Sequence, residues 1–207
     1  MIIALIVAFA ASVLGTGLLG LVSQAPQNGS QTTTGTANAS YDAISQQFTS
    51  AVAANQAALN KDPKNYGALV AQANNYFDWA LTVQRDAKLG QSGQELPLWQ
   101  QSVSYYVRAL DATKTFDPKV GTDMSVAYHY AGENTKAVEM IKRVLKLQPN
   151  LPQAVLNAGI FSESANETST ALGFYRRFIG LPGIASVEPT AVAFAKGRVT
   201  VLNTAKK

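Results

Sequence analysis

Residues 123–149 and 150–182 carry small, apolar and turn-forming side chains in the same order twice over, and this repetition constrains the chain more than any other feature. In the first copy Met124, Ser125 and Tyr128 fall on one face of a helix. Gly132 stands where that helix must end, because a residue without Cβ can adopt positive φ. Ala137, Ile141, Val144 and Leu145 then form the inner stripe of a second helix, which Pro149 stops. In the second copy Pro152 opens a helix. Val155, Ala158, Gly159 and Ser162 take the inward places, Asn166 takes the turn, and Ala171, Tyr175 and Phe178 supply the partner helix up to Pro182. Ala137 to Ala171 and Ile141 to Tyr175 are each one period of about 34 residues. A helix pair this short cannot bury its apolar stripe alone, so the copies must stack.

These residues and this period resemble the tetratricopeptide repeat (TPR) family, whose paired helices build solenoids. A looser copy precedes Pro118, with Leu69, Ala73 and Tyr76 after Asp62-Pro63 and then Ser102, Tyr106 and Ala109. It departs from the family by an insert at 84–97 and by about one extra turn before Pro118. The expected fold class is all-α, a short TPR-type helical solenoid of about three repeats plus flanking helices. Repeats fall at about 64–118, 119–149 and 150–182. A leading helix at 41–60 presents Ile44, Phe48, Ala51, Val52 and Leu59, and the first repeat's helices run from 66 to about 84 and from 98 to 115. An end helix at about 189–202 uses Val192, Ala193 and Val199 on its apolar side and Lys196 on its basic side, covering the last repeat. Gly90, Gly93 and Pro97 break the insert, which reads as a loop between lengthened helices.

The resemblance implies a concave surface lined by the first helix of each repeat. Its offsets place Val70, Asn74, Phe77 and Asp78 there from the first repeat, Thr122, Val126, His129 and Tyr130 from the second, and Gln153, Leu156, Ile160 and Glu163 from the third. Such a mixture suits a peptide groove, unless the flanking helices fill it. The subtype that clamps a free C-terminal carboxylate is set aside: Asn74 matches one clamp asparagine, but Val70 stands for a clamp lysine and Asp123 for a second asparagine.

Ahead of the repeats, residues 2–22 carry no charge. As a helix they reach about 30 Å, the thickness of the hydrocarbon core. With no Lys or Arg before the run, and with Pro26 just after it, a retained transmembrane helix over 1–23 is expected; a signal peptide cleaved near Ala25 is the alternative. Ala4, Ala8, Ser12, Thr16 and Gly20 lie four apart, a stripe that would let a membrane-embedded partner helix approach. Residues 24–40 are uncharged and polar, a flexible tether of about 20–25 Å as a coil before the domain at 41–207. The first basic residue is Lys61, so charge near the membrane says little about orientation; the uncharged tether favours an extracytoplasmic domain at the cell membrane.

The composition excludes much chemistry. There is one histidine, His129, and no cysteine, so thiol catalysis, thiolate metal sites and disulfides are out. No zinc-binding His/Glu spacing and no phosphate-binding Gly-rich loop occurs, and Glu163 and Glu167 read as solvent-facing. The net charge of +4 is spread thinly, without the basic block that nucleic acid requires. No enzyme activity, cofactor, metal, nucleic acid or small-molecule substrate is expected. Protein partners are, with the chain serving as an accessory or scaffold subunit of a membrane complex, as a recruiter of a transient peptide segment, or as a secreted TPR protein after signal removal.

Overall fold

The computed structural model describes residues 33–86, 89 and 92–204. The apolar segment 2–22 and its stripe of Ala4, Ala8, Ser12, Thr16 and Gly20 lie outside the described residues, as does the tether up to residue 32. Among the described residues the chain is helical, without strands. It runs α1 (Thr33–Lys61), α2 (Tyr66–Arg85), α3 (Glu95–Ala112), α4 (Pro118–Tyr130), α5 (Asn134–Leu147), α6 (Pro152–Ser164), α7 (Thr168–Ile179), α8 (Ile184–Val187) and α9 (Pro189–Thr204). α2/α3, α4/α5 and α6/α7 are the three hairpins, α3 packs on α4 and α5 on α6, α1 packs on α2, and α9 packs on α7.

Local chemistry sets the helix ends. Asn65 caps α2 by accepting from the Ala68 N–H at 2.9 Å. Asp117 caps α4 by accepting from the Lys119 N–H at 2.8 Å, with Pro118 preset for the first helical position. The two hairpin turns are superimposable in their bonding. Gly132 sits at φ 82° while the Glu133 N–H bonds to Tyr128 C=O at 2.8 Å and the Gly132 N–H to His129 C=O at 3.0 Å. Asn166 sits at φ 62° with the equivalent bonds, Glu167 to Ser162 at 2.8 Å and Asn166 to Glu163 at 3.0 Å. Both are Schellman closures, which require a left-handed residue just past the helix. Among the described residues Asn166 is the one non-glycine at positive φ. A Cβ on Gly132 would meet no atom within 4 Å, so the cost of adding one is purely conformational. Gly132→Ala should therefore lose about 1 kcal/mol, and Asn166→Gly should gain or lose only a few tenths. Chemical denaturation of both variants checks this; equal losses would show that the backbone relaxes out of the left-handed region.

The inward stripes read from the sequence are the core. Ala137, Ile141, Val144, Val155, Ala158, Ala171, Tyr175 and Phe178 are all shut off from solvent. Small residues let the paired helices close. Ser102 of α3 lies against α2 near enough to donate to Ala73 C=O at 3.0 Å. Gly159 of α6 receives the ring of Tyr175, and a Cβ there would come within 2.9 Å of it.

Three boundaries differ from expectation. α1 starts at Thr33, inside the stretch read as tether, because extending a formed helix fixes one residue per added bond. α3 starts at Glu95, ahead of the expected Leu98, and ends at Ala112; Pro97 sits in its first turn, where the missing N–H has no helical acceptor to lose. The insert is pinned at one point, with Leu89 buried in the core and its N–H bonded to Asp86 Oδ1 at 3.1 Å. In α9 the inner face is Ala191, Val192, Ala195 and Leu202, whereas Ala193 is exposed.

Candidate functional site

The resemblance assigns the concave side to α2, α4 and α6, the first helices of the three hairpins. Each expected lining residue has a definite place. Phe77, Thr122, Val126, Gln153, Leu156 and Ile160 are buried, and Val70, Asn74, Asp78, His129, Tyr130 and Glu163 are half-buried. Thr122 bonds within its own helix, donating to Pro118 C=O at 2.8 Å. Asn74, His129 and Glu163 are engaged by side chains of neighbouring helices.

At the junction of the first two hairpins the Tyr106 hydroxyl donates to Asn74 Oδ1 at 2.6 Å. Asp78 and Asp123 flank this point. Burial pushes the Asp78 carboxyl up to about 6 against the opposing pull of Arg85. Burial pushes Asp123 up to about 7, with Lys119 opposing and the Asp78 and Asp117 charges adding to the rise. The Tyr106 phenol is held well above its ordinary range by its own burial, then by both carboxylates. Two acids and a phenol thus act on one another in poorly solvated surroundings.

Aromatic rings link α2, α3, α4 and α6. Trp99 of α3 takes Phe77 edge-on at 4.9 Å between centroids and stacks on Tyr130 at 4.7 Å. His129 stacks on Phe161 at 4.9 Å, and its Nδ1 pairs with Asn134 Oδ1 at 2.8 Å. Burial lowers the His129 pKa, so the neutral imidazole is the folded form near neutrality. Sequence reasoning named His129 and Tyr130 but missed Trp99, which lies in α3, the second helix of the first hairpin, and meets Tyr130 of the next one. On the other side, Phe48, Trp79, Tyr76 and Tyr105 stack in a row at 5.8, 6.1 and 5.7 Å across α1, α2 and α3.

Glu163 is a correction. Rather than facing solvent, it is bound by Arg198 of α9, whose Nε donates to Oε2 at 3.0 Å while Nη2 reaches Oε1. The Tyr175 hydroxyl adds a bond to Oε2 at 2.8 Å. The Glu163 and Arg198 side chains keep 15% and 24% of their exposure, so the pair is well shielded. Glu167, its expected companion, pairs instead with Lys142 at 3.6 Å. Arg198→Ala should cost about 1–3 kcal/mol by leaving Glu163 and its desolvated charge without a cation. A double-mutant cycle with Glu163→Gln should return a coupling of about 1–2 kcal/mol; additive effects would mean that the two side chains act independently.

Among the described residues no three His, Cys, Asp or Glu side chains group as a metal site. Among them, too, no helix is long and apolar enough to cross a membrane.

No protein-family model matches the chain, and no curated protein matches it. Among solved structures, the chain is similar to the crystal structure of MamA, a TPR-like helical protein. The TM-score is 0.57 at 16% identity, over 77% of this chain and 85% of that one. A second structure, of MamA protein, aligns at 17% identity over 75% of this chain and 95% of that one, with a TM-score of 0.39, too loose a superposition to support anything further. At these identities the likeness concerns the fold, and the fold is a TPR-like array of helical hairpins.

Proposed function

We propose that the chain is a single-pass, membrane-anchored scaffold that works by protein–protein contact, as an accessory subunit of a membrane complex. The observation that carries this reading is the composition of the concave register. Phe77, Val126, Leu156 and Ile160 form an apolar floor that the chain itself buries, and the half-buried Val70, Asn74, Asp78, His129 and Tyr130 are the side chains left to meet a partner. Apolar floors with a few polar groups recognise polypeptide segments. Residues 2–22, uncharged and about 30 Å long as a helix, supply the anchor in this reading. The repeats then lie on the extracytoplasmic side, and the stripe from Ala4 to Gly20 faces a membrane-embedded partner.

Affinity purification of the tagged full chain from mildly solubilised membranes, followed by size exclusion, tests the proposal. Co-migration with a stable larger assembly is the expected result. A free monomer with no protein in stoichiometric company would sink the subunit reading. A mature N-terminus at Pro26 would replace it with the secreted form. Protease added to intact cells should digest the repeat domain; protection would put that domain inside.

A further inference from the structure

We propose that Arg108, Arg143 and Arg177, one from the second helix of each hairpin, form a row that takes an acidic polypeptide segment by its side-chain carboxylates. The row belongs to α3, α5 and α7, so the inference does not rest on the reading of the first helices given above.

The first observation is register. Arg143 of α5 and Arg177 of α7 are one period of about 34 residues apart. Arg108 of α3 holds the same place in spite of the insert. Each arginine stands two positions after one inward residue and one position before another. The inward pairs are Tyr106 and Ala109, Ile141 and Val144, and Tyr175 and Phe178, all buried, whereas the three arginines are exposed. The hairpins stack in order, α3 on α4 and α5 on α6, so equivalent places on their second helices fall in a row along the array.

The second observation is how each arginine is held. Every one lies on the turn that opens its own hairpin. Arg108 Nη2 is 3.5 Å from the Pro63 C=O, just ahead of α2, and its guanidinium sits over the Tyr105 ring at 5.0 Å. The Arg143 guanidinium sits over the Phe116 ring at 4.0 Å, just ahead of α4. Arg177 Nη2 donates to the Pro149 C=O, just ahead of α6. Rings and carbonyls fix a guanidinium without neutralising it. The remaining N–H donors stay free, and their planar fork matches a carboxylate. Side chains ordered in advance lose less freedom when a ligand arrives.

The third observation is charge left unmatched. Among the described residues none of these three arginines is in an ion pair, although the chain pairs other cations, Lys142 with Glu167 and Arg198 with Glu163. At the start of the row Pro63, Lys64, Arg108, Asp111 and Ala112 line a cleft of about 340 Å³. Lys64 and Arg108 attract an anionic group there, and Asp111 repels a dense run of them. Separate carboxylates on a polypeptide suit so mixed a surface better than the continuous phosphates of a nucleic acid or an anionic bilayer.

Fluorescence anisotropy tests the proposal, with the full chain in nonionic detergent at low salt, where exposed charges are least screened. The probe is a fluorescein-labelled peptide of repeated Glu-Gly-Ser units, and its Gln-Gly-Ser counterpart is the uncharged control. The glutamate peptide should bind and the glutamine peptide should not. Arg143→Gln with Arg177→Gln should weaken binding about tenfold or more, because two charge-assisted contacts are lost, and adding Arg108→Gln should weaken it further, by about threefold or more. Lys136→Gln with Lys196→Gln removes the same formal charge elsewhere and should weaken binding about twofold or less. Arg143→Lys with Arg177→Lys keeps the charge and loses the fork, and should weaken it about threefold. That pair decides the matter if the glutamine variants melt below the assay temperature. Co-purification with a membrane assembly, or its failure, bears on the scaffold reading alone. A glutamate peptide that does not bind the parent chain, or equal losses in the arginine and lysine variants, would overturn the proposal. So would displacement of the probe by oligothymidylate, or by phosphatidylglycerol in the micelles, at lower total charge than by unlabelled peptide, since the row would then belong to a nucleic acid or a bilayer.

Discussion

Gly159→Val should unfold the third hairpin or leave it barely stable, with a loss of about 3 kcal/mol or more. Gly159 lies where α6 and α7 cross, and an added Cβ would sit 2.9 Å from two ring carbons of Tyr175 and 3.3 Å from a third. The ring has nowhere to go. Tyr175 is wholly buried, its hydroxyl is tied to Glu163, and Phe194 of α9 meets it edge-on at 6.1 Å. Moving the ring would break the Glu163 network that joins α6, α7 and α9, so the strain spreads into the end helix. Gly159→Ala should already cost about 1–3 kcal/mol, while Gly173→Ala is the natural contrast. Gly173 lies exposed in α7 with no atom within 4 Å of an added Cβ, so that change should stabilise by about 0.5–1 kcal/mol through helix propensity. Urea denaturation of the variants decides it. A Gly159→Val chain as stable as the parent would mean that α6 and α7 can separate freely, and the close crossing would lose its importance.

Asp123→Asn should raise stability at about pH 8 by about 1–3 kcal/mol and do little at about pH 4. Asp123 is the buried acid raised to about 7. A carboxyl with a folded pKa above its unfolded value holds its proton more tightly in the folded chain. Its stabilising contribution is therefore complete below the ordinary 3.8 and is lost as pH rises through about 7. Asp78, raised to about 6, adds a slope of the same sign. His129 has the opposite sign: its lowered pKa contributes stability above 6.5 that disappears as pH falls through the folded value. An asparagine keeps the shape and never ionises, which removes the largest of these slopes. Even after the cost of burying an amide, melting temperature at the alkaline end should rise by several degrees, on the order of 2–4 °C per kcal/mol for a domain of this size. Parallel melting curves for parent and variant from about pH 4 to pH 8 would mean that Asp123 is solvated and titrates normally.

Both effects depend on neighbours far along the chain, and this divides what was legible from what was not. Gly132 and Asn166 announced the hairpin turns because a Schellman closure demands a left-handed residue at one fixed place, and few residue types tolerate it. The stripes Ala137–Ile141–Val144 and Ala171–Tyr175–Phe178 announced helices and their inner faces because burial along a helix recurs every three or four residues. The start of α1 and the reach of α3 through Pro97 were misjudged, since continuing a helix already formed is nearly free and leaves little mark on composition.

The repeat period, the turns and the inward faces were therefore determined by the sequence alone, because each depends on residues within a few positions of one another. Tertiary structure decided that Glu163 turns to Arg198, 35 residues away, instead of to water, and that Trp99 crosses to Tyr130. It also decided that Asp78 and Asp123 feel each other's charge in poorly solvated surroundings and that Phe77, Val126, Leu156 and Ile160 belong to the core. Charges and rings brought together by stacking carry no periodic signature, and their desolvation exists only once the helices have packed.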